Sequence, residues 1–340
     1  MNNRGNVLVN ANLLMLGFIS ICCIMFNCTH DLPPMSEYQI IEFTPVGAAY
    51  QGEISVYHDT LIVLYWERDF YPCHIRKYYV GDPKEPVIAD IDEFDFYYQG
   101  YLHTVVNEDS FLFILEPYRP SSIRILNLNS LTVKDVSVDY DIYGLTYDNN
   151  MLFLTADSGL RVWDISDLNN IIELYNEGDT NSRWQGQIAQ NDTILFECYN
   201  DGVSRFKFWN VHDPQNPTII AEGHTDYYFD QIDITDQYII AETSGMIFRF
   251  AYDFTDSLIF EDSLYLECGA KDLRIKDSLV CLNCYSFLLI FEIDNFDENW
   301  RLYQLSSHYY HLEFLSYAIY QDKIYALIKE KGVYIYERSE

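Results

Sequence analysis

The sequence predicts an all-β protein, a seven-bladed β-propeller of four-stranded antiparallel blades, carried behind an N-terminal export signal. Three observations point there. Of the 340 residues, 49% are hydrophobic and 16% aromatic, with 30 Tyr and 21 Phe, residue types that suit pleated, half-buried surfaces. An Asp or Asn turn that opens a short apolar run recurs seven times along the chain. A second apolar run follows each. The polar positions that end these second runs, from Tyr79 to Glu337, lie about 43 residues apart on average, the length of a four-stranded blade.

The turns open DTLIVLY at Asp59, DSFLFIL at Asp109, NNMLFLT at Asn149, DTILFE at Asp192, DQYIIAE at Asp236, DSLVCLN at Asp277 and DKIYALI at Asp322. Asp and Asn tolerate left-handed backbone and bond their own main chain, so each turn between two β-rich runs reads as a hairpin. Runs such as EISVYH and DQIDIT supply the first strand of a unit, and the run after the turn supplies the second. GLRVWDISDL and RFKFWNVHDP supply third strands; PVIADI, IIELY and PTIIAEG supply fourth strands. These runs are too short, too β-branched and too interrupted for helices. The last unit ends after its third strand. The segment Tyr38–Phe43, YQIIEF, looks like a fourth strand and is expected to complete that blade. Closing the ring in this way removes edges that would otherwise pair with other chains. The propeller is therefore assigned to residues 38–340.

Residues 1–28 read as an export signal and 29–37 as a short tether. Arg4 precedes an apolar run from Leu13 to Phe26, shorter than the roughly 20 residues a membrane-spanning helix needs. Asp31, Pro33 and Pro34 then end any helix, and Cys28 sits at the junction. This arrangement resembles a bacterial lipoprotein signal, in which the cysteine is lipidated and becomes the first residue of the mature chain. The stretch Met25-Phe26-Asn27-Cys28 departs from that pattern, which prefers a small residue before the cysteine and Leu three before it. Cys22 and Cys23 are rivals, but apolar residues follow them. A cleaved soluble signal and an uncleaved anchor are the other readings of the same segment.

The units GLRVWDISDLNNIIEL and RFKFWNVHDPQNPTIIAEG resemble the LVIVD repeat: an apolar run, an Asp, a D-P-x-x-P turn and another apolar strand. Asp82-Pro83 through Pro86 repeats that turn. The resemblance implies an exported bacterial propeller and implies no particular activity.

The formal net charge of −31 repels phosphate backbones and argues against nucleic acid as a partner. No Ca²⁺ loop, G-x-S-x-G or H-E-x-x-H occurs, so the sequence calls for no cofactor and no metal. His308 and His311 lack a third ligand, and Cys281-Leu-Asn-Cys284 lies in a strand-like run where residues three apart face opposite ways.

Two sets of site residues remain. The connections from fourth to first strands carry tyrosines interleaved with acids, and Tyr98, Tyr143, Trp184, Tyr228 and Tyr309 form a candidate ligand face for a protein or glycan partner. Glu53, His103, Asp230 and Lys271 fall near the starts of first strands and are candidates for the mouth of a central channel. The expected function is a non-enzymatic binding or scaffolding module at the cell envelope, held to the membrane by a lipid anchor. The alternative is an envelope hydrolase or lyase working at the channel mouth.

Overall fold

The computed structural model describes residues 38–44, 51–57, 60–66, 73–79, 89–94, 103–106, 111–116, 121–127, 133–178, 183, 185–254, 257–266, 272–276, 278–284, 287–303, 314–320, 323–329 and 332–338. Among them every regular element is a strand, and the strands form seven four-stranded antiparallel sheets. β1 (Tyr38–Thr44) precedes them all. One sheet holds β2 (Gln51–Tyr57), β3 (Thr60–Trp66), β4 (Cys73–Tyr79) and β5 (Ala89–Phe94) in that order. The next holds β6 (His103–Val106), β7 (Phe111–Glu116), β8 (Ser122–Asn127) and β9 (Val133–Ser137). Then follow β10 (Ile142–Asp148), β11 (Met151–Ala156), β12 (Gly159–Asp164) and β13 (Ile172–Asn176). β14 (Gln185–Asn191), β15 (Ile194–Asn200), β16 (Ser204–Asn210) and β17 (Thr218–His224) form another. β18 (Gln231–Ile234), β19 (Tyr238–Thr243), β20 (Met246–Ala251) and β21 (Ile259–Tyr265) repeat the pattern, as do β22 (Asp272–Lys276), β23 (Leu279–Asn283), β24 (Phe287–Glu292) and β25 (Asn295–Tyr303). The last sheet takes β26 (Phe314–Tyr320), β27 (Lys323–Ile328) and β28 (Gly332–Arg338), with β1 as its fourth strand, antiparallel to β28 from Tyr38↔Arg338 to Thr44↔Val333.

The turn residues act as their chemistry dictates. Asn149 and Asn150 (φ 47° and 64°) and Asp192 (φ 50°) take the left-handed backbone between first and second strands. Before Tyr238 a threonine does the work: Thr235 Oγ1 accepts from the N–H of Gln237 at 3.3 Å and of Tyr238 at 3.0 Å.

Position in the sheet sets burial. The second strands β11, β15, β19 and β23 are buried along nearly their whole length, so their sequences read as continuous apolar runs. The fourth strands β13, β17 and β21 are largely exposed. A β-bulge recurs where third and fourth strands pair, between Val162/Trp163, Phe208/Trp209 and Arg249/Phe250. Bulges of this kind increase local twist and turn an outer edge away from partners.

First strands of successive sheets lie side by side: β6 by β10, β10 by β14, β14 by β18, β18 by β22, with β2 beside both β6 and β26. The core is correspondingly divided into layers shared by two sheets. Phe196 and Phe208 pack with Ile232, Ile239 and Phe248 of the next sheet; Cys281 and Ile290 pack with Tyr317 and Ala326; Leu61 and Val63 pack with Leu315 and Leu327. Each Leu, Ile, Val or Phe among them contributes roughly 1.5–3 kcal/mol of hydrophobic stabilisation. Cys281 and Cys284 enter different layers, as strand alternation requires. Burial pushes the Cys198 thiol up to about 12 and that of Cys281 well above its usual range, so both are packing groups.

Candidate functional site

Each sheet has two ends. At the upper end a fourth strand passes to the next first strand, and second strands turn into third strands. At the lower end lie the turns from first to second and from third to fourth strands. The described upper-end connections are held by main-chain bonds: Thr225 N donates to Ser204 O at 3.0 Å, and Asp230 N to Glu242 O at 2.8 Å.

On this frame Tyr227 stands 42% exposed, its ring 4.5 Å from Phe248 and stacked on Phe229 at 6.5 Å. Phe229 is fully buried and packs on Phe250, so the tyrosine rests on a rigid aromatic column. Asp226 and Asp230 flank it, both exposed. Tyr228 is half-buried; desolvation, then the neighbouring Asp230, raises its phenol pKa. Tyr143, the second residue of β10, is also half-buried, and its hydroxyl donates to the Arg183 carbonyl at 2.8 Å. Both therefore contribute ring surface to the upper end, and Tyr143 also helps to hold it.

Beneath lies a buried charge network between two sheets. Arg183 is 1% exposed; one guanidinium nitrogen donates to Glu197, another to Glu177 Oε2 at 2.8 Å, and the plane lies 3.8 Å over Tyr199. Glu197, fully buried, also accepts from Thr155 Oγ1 at 2.7 Å and Trp209 Nε1 at 3.2 Å. Lys207 donates to the remaining Glu177 oxygen. Burial alone would lower the Lys207 pKa, but the hydrogen bond and charge of Glu177 outweigh it and raise the pKa. Two cations thus face two carboxylates with their lone pairs occupied, the condition under which buried charge is tolerated. Gly159 (φ 106°) makes room, since a Cβ there would sit 2.3 Å from Glu177 Oε2.

A third cluster ties the first strands together. Asp233 of β18 accepts from Ile275 N of β22 at 2.6 Å and from Ile234 N at 2.9 Å. Arg274 of β22 pairs with Asp272 at 2.9 Å and donates to the Ile54 carbonyl of β2 at 3.3 Å. Ile54 N in turn donates to Ser316 Oγ of β26 at 3.3 Å. The Arg274 guanidinium lies 5.3 Å from the Tyr317 ring, whose hydroxyl donates to the Cys281 carbonyl. Burial pushes the Asp233 carboxyl up to about 6; the two N–H donors and Arg274 oppose the shift and Asp272 adds to it. By exposed area Asp233 is only partly covered. Protein surrounds it on most sides, so the solvent reaching it is thin.

Among the sequence candidates, Tyr143, Tyr228 and Asp230 are placed with their side chains, all at the upper end. Asp230 immediately precedes β18, where its Oδ2 accepts from Ser244 N at 3.4 Å. Glu53 is the third residue of β2 and His103 opens β6, described in backbone alone. Cys28, Tyr98, Trp184, Tyr309 and Lys271 lie outside the described residues. Sequence reasoning passed over Arg183, Glu177, Glu197, Lys207, Asp233 and Arg274. For two of them a signal exists: Glu197 in ILFECYN and Lys207 in SRFKFWN are charges inside apolar strands, and they are cross-strand partners.

No family model matches the chain, and no curated protein matches it. Solved structures do. A computationally designed protein, Ika8, is similar over 89% of this chain and 99% of its own, with a TM-score of 0.58 at 13% identity. A chain of the mitotic checkpoint complex is similar over 89% of this chain and 92% of its own, with a TM-score of 0.61 at 9% identity. At such identities the likeness establishes the fold alone: all-β and propeller-like.

Proposed function

We propose that the chain is an exported, lipid-anchored, seven-bladed propeller, closed by β1, that acts as a non-enzymatic binding or scaffolding module at the cell envelope. The resemblances to LVIVD repeats and to lipoprotein signals support the location. The observation that carries the binding role is Tyr227, an exposed aromatic seated on a rigid column between two exposed carboxylates. Rigid tyrosines offer amphipathic contact area at low entropic cost, the usual anchor for a protein or glycan partner. The buried charged residues nearby bridge neighbouring sheets. Full-length chain carrying Tyr227→Asp should capture its partner from native membranes about 30-fold less tightly, equivalent to about 2 kcal/mol. Its melting temperature should match the parent's. Equal capture would refute this role for the upper end.

One observation favours the alternative, a hydrolase or lyase in the central channel. A carboxyl titrating near 6 beside a second carboxylate and a guanidinium is suited to proton transfer. That reading requires turnover of an ester or glycoside panel that disappears in Asp233→Asn and persists in Tyr227→Asp.

A further inference from the structure

β1 determines where the preceding chain leaves the molecule. It occupies the fourth position of its sheet, antiparallel to the third strand β28, so it runs in the sense of β13, β17 and β21. Those strands begin at the lower end, and so Tyr38 lies there too. Residues 29–37 can span at most about 30 Å. An anchor at Cys28 therefore holds the lower end within roughly that distance of the membrane.

The lower end carries a second feature. Ile172 (46% exposed) opens β13; Ile219 (44%) and Ile220 (38%) lie early in β17; Ile259 (45%) and Phe260 (55%) open β21. Phe254, 39% exposed, sits in the turn just before, with its ring edge-on to Phe208 at 5.5 Å and to Tyr252 at 5.1 Å. Its φ of 60° is a backbone state that a bulky side chain rarely adopts. Such strain persists where surrounding structure enforces it, and here it holds an apolar ring outward. Three successive sheets thus present apolar groups at one rim, on the end from which the tether departs. The net charge of −31 disfavours a second copy of the chain or an anionic surface as the cover.

We propose that the lower end rests on the membrane that holds the chain, with Ile172, Ile219, Ile220, Phe254, Ile259 and Phe260 lying in the interfacial layer of a zwitterionic lipid surface. The upper end, with Tyr227, then points away from the membrane. This inference rests on the anchoring reading above.

The test is hydrogen exchange on the full chain, processed in its native host and reconstituted in phosphatidylcholine vesicles, against Cys28→Ala chain free in solution. Amides of 170–174, 218–221 and 257–260 should exchange at least about tenfold more slowly on vesicles, and those of 201–203 and 225–228 should be unchanged. The double variant Phe254→Asp/Phe260→Asp should sediment with vesicles and lose the protection. Protection at the upper end instead, or none in a chain that sediments, overturns the inference and leaves the anchor standing. A chain that fails to sediment overturns both. Concentration-dependent self-association of Cys28→Ala chain, abolished by the same double variant, would assign the rim to a second copy and also overturn it.

Discussion

Arg183 shows how a single side chain can hold two sheets in register. Its donors reach Glu177, just past β13, and Glu197 within β15, so it bridges neighbouring sheets where burial leaves the charge weakly screened. Replacing it by Met leaves the buried Glu197 and the part-buried Glu177 facing Lys207 alone. Arg183→Met should cost about 3–5 kcal/mol in denaturant unfolding, and adding Glu197→Gln should cost less than the sum of the single changes. Asp233 makes a different prediction. Its folded-state pKa of about 6 lies above the ordinary 3.8, so between those values the folded chain binds more protons than the unfolded one. The stability it contributes is therefore full below about pH 4 and is lost as pH rises through 6, by at most about 3 kcal/mol. Asp233→Asn should gain on the parent in stability from pH 4 to pH 7, and a constant difference across that window would contradict this. At this scale the sequence was legible only in part. Glu197 and Lys207 are charges in apolar runs, a signal that sequence reasoning did not use, and their partners sit in or beside a connection whose path no local pattern specifies.

Strands were far more legible, because each turn and run carries its own chemistry. The alternation of Asp or Asn turns with apolar runs places hairpins at Asn149–Asn150 and Asp192 where the left-handed backbone is found. The bulges between third and fourth strands left no comparable mark. A bulge inserts one residue into a pattern that is already half exposed, so period and composition barely change. β1 was legible as a spare fourth strand, and its pairing with β28 follows. Deleting Tyr38–Phe43 should bare the edge of β28, lower the unfolding midpoint and produce aggregates on heating. A monomeric deletion variant with the parent's melting temperature would show that β1 contributes little.

For the whole molecule, the repeat conveyed the architecture because each unit must bury its faces against neighbours, and that demand is written into every second strand. It conveyed much less about the site. Tyr227 on its aromatic column depends on Phe229, Phe248 and Phe250 from different strands converging, and in a chain with 30 Tyr no single tyrosine stands out by type. The β1–β28 pairing has one more consequence, which concerns time. Among the described strands, the one synthesised first finds its partner last. Tyr38 pairs with Arg338, and at the usual 5–20 residues per second roughly 15–60 s separate their emergence. Throughout that interval YQIIEF has no mate of its own, and the cell must keep a β-prone segment from finding another.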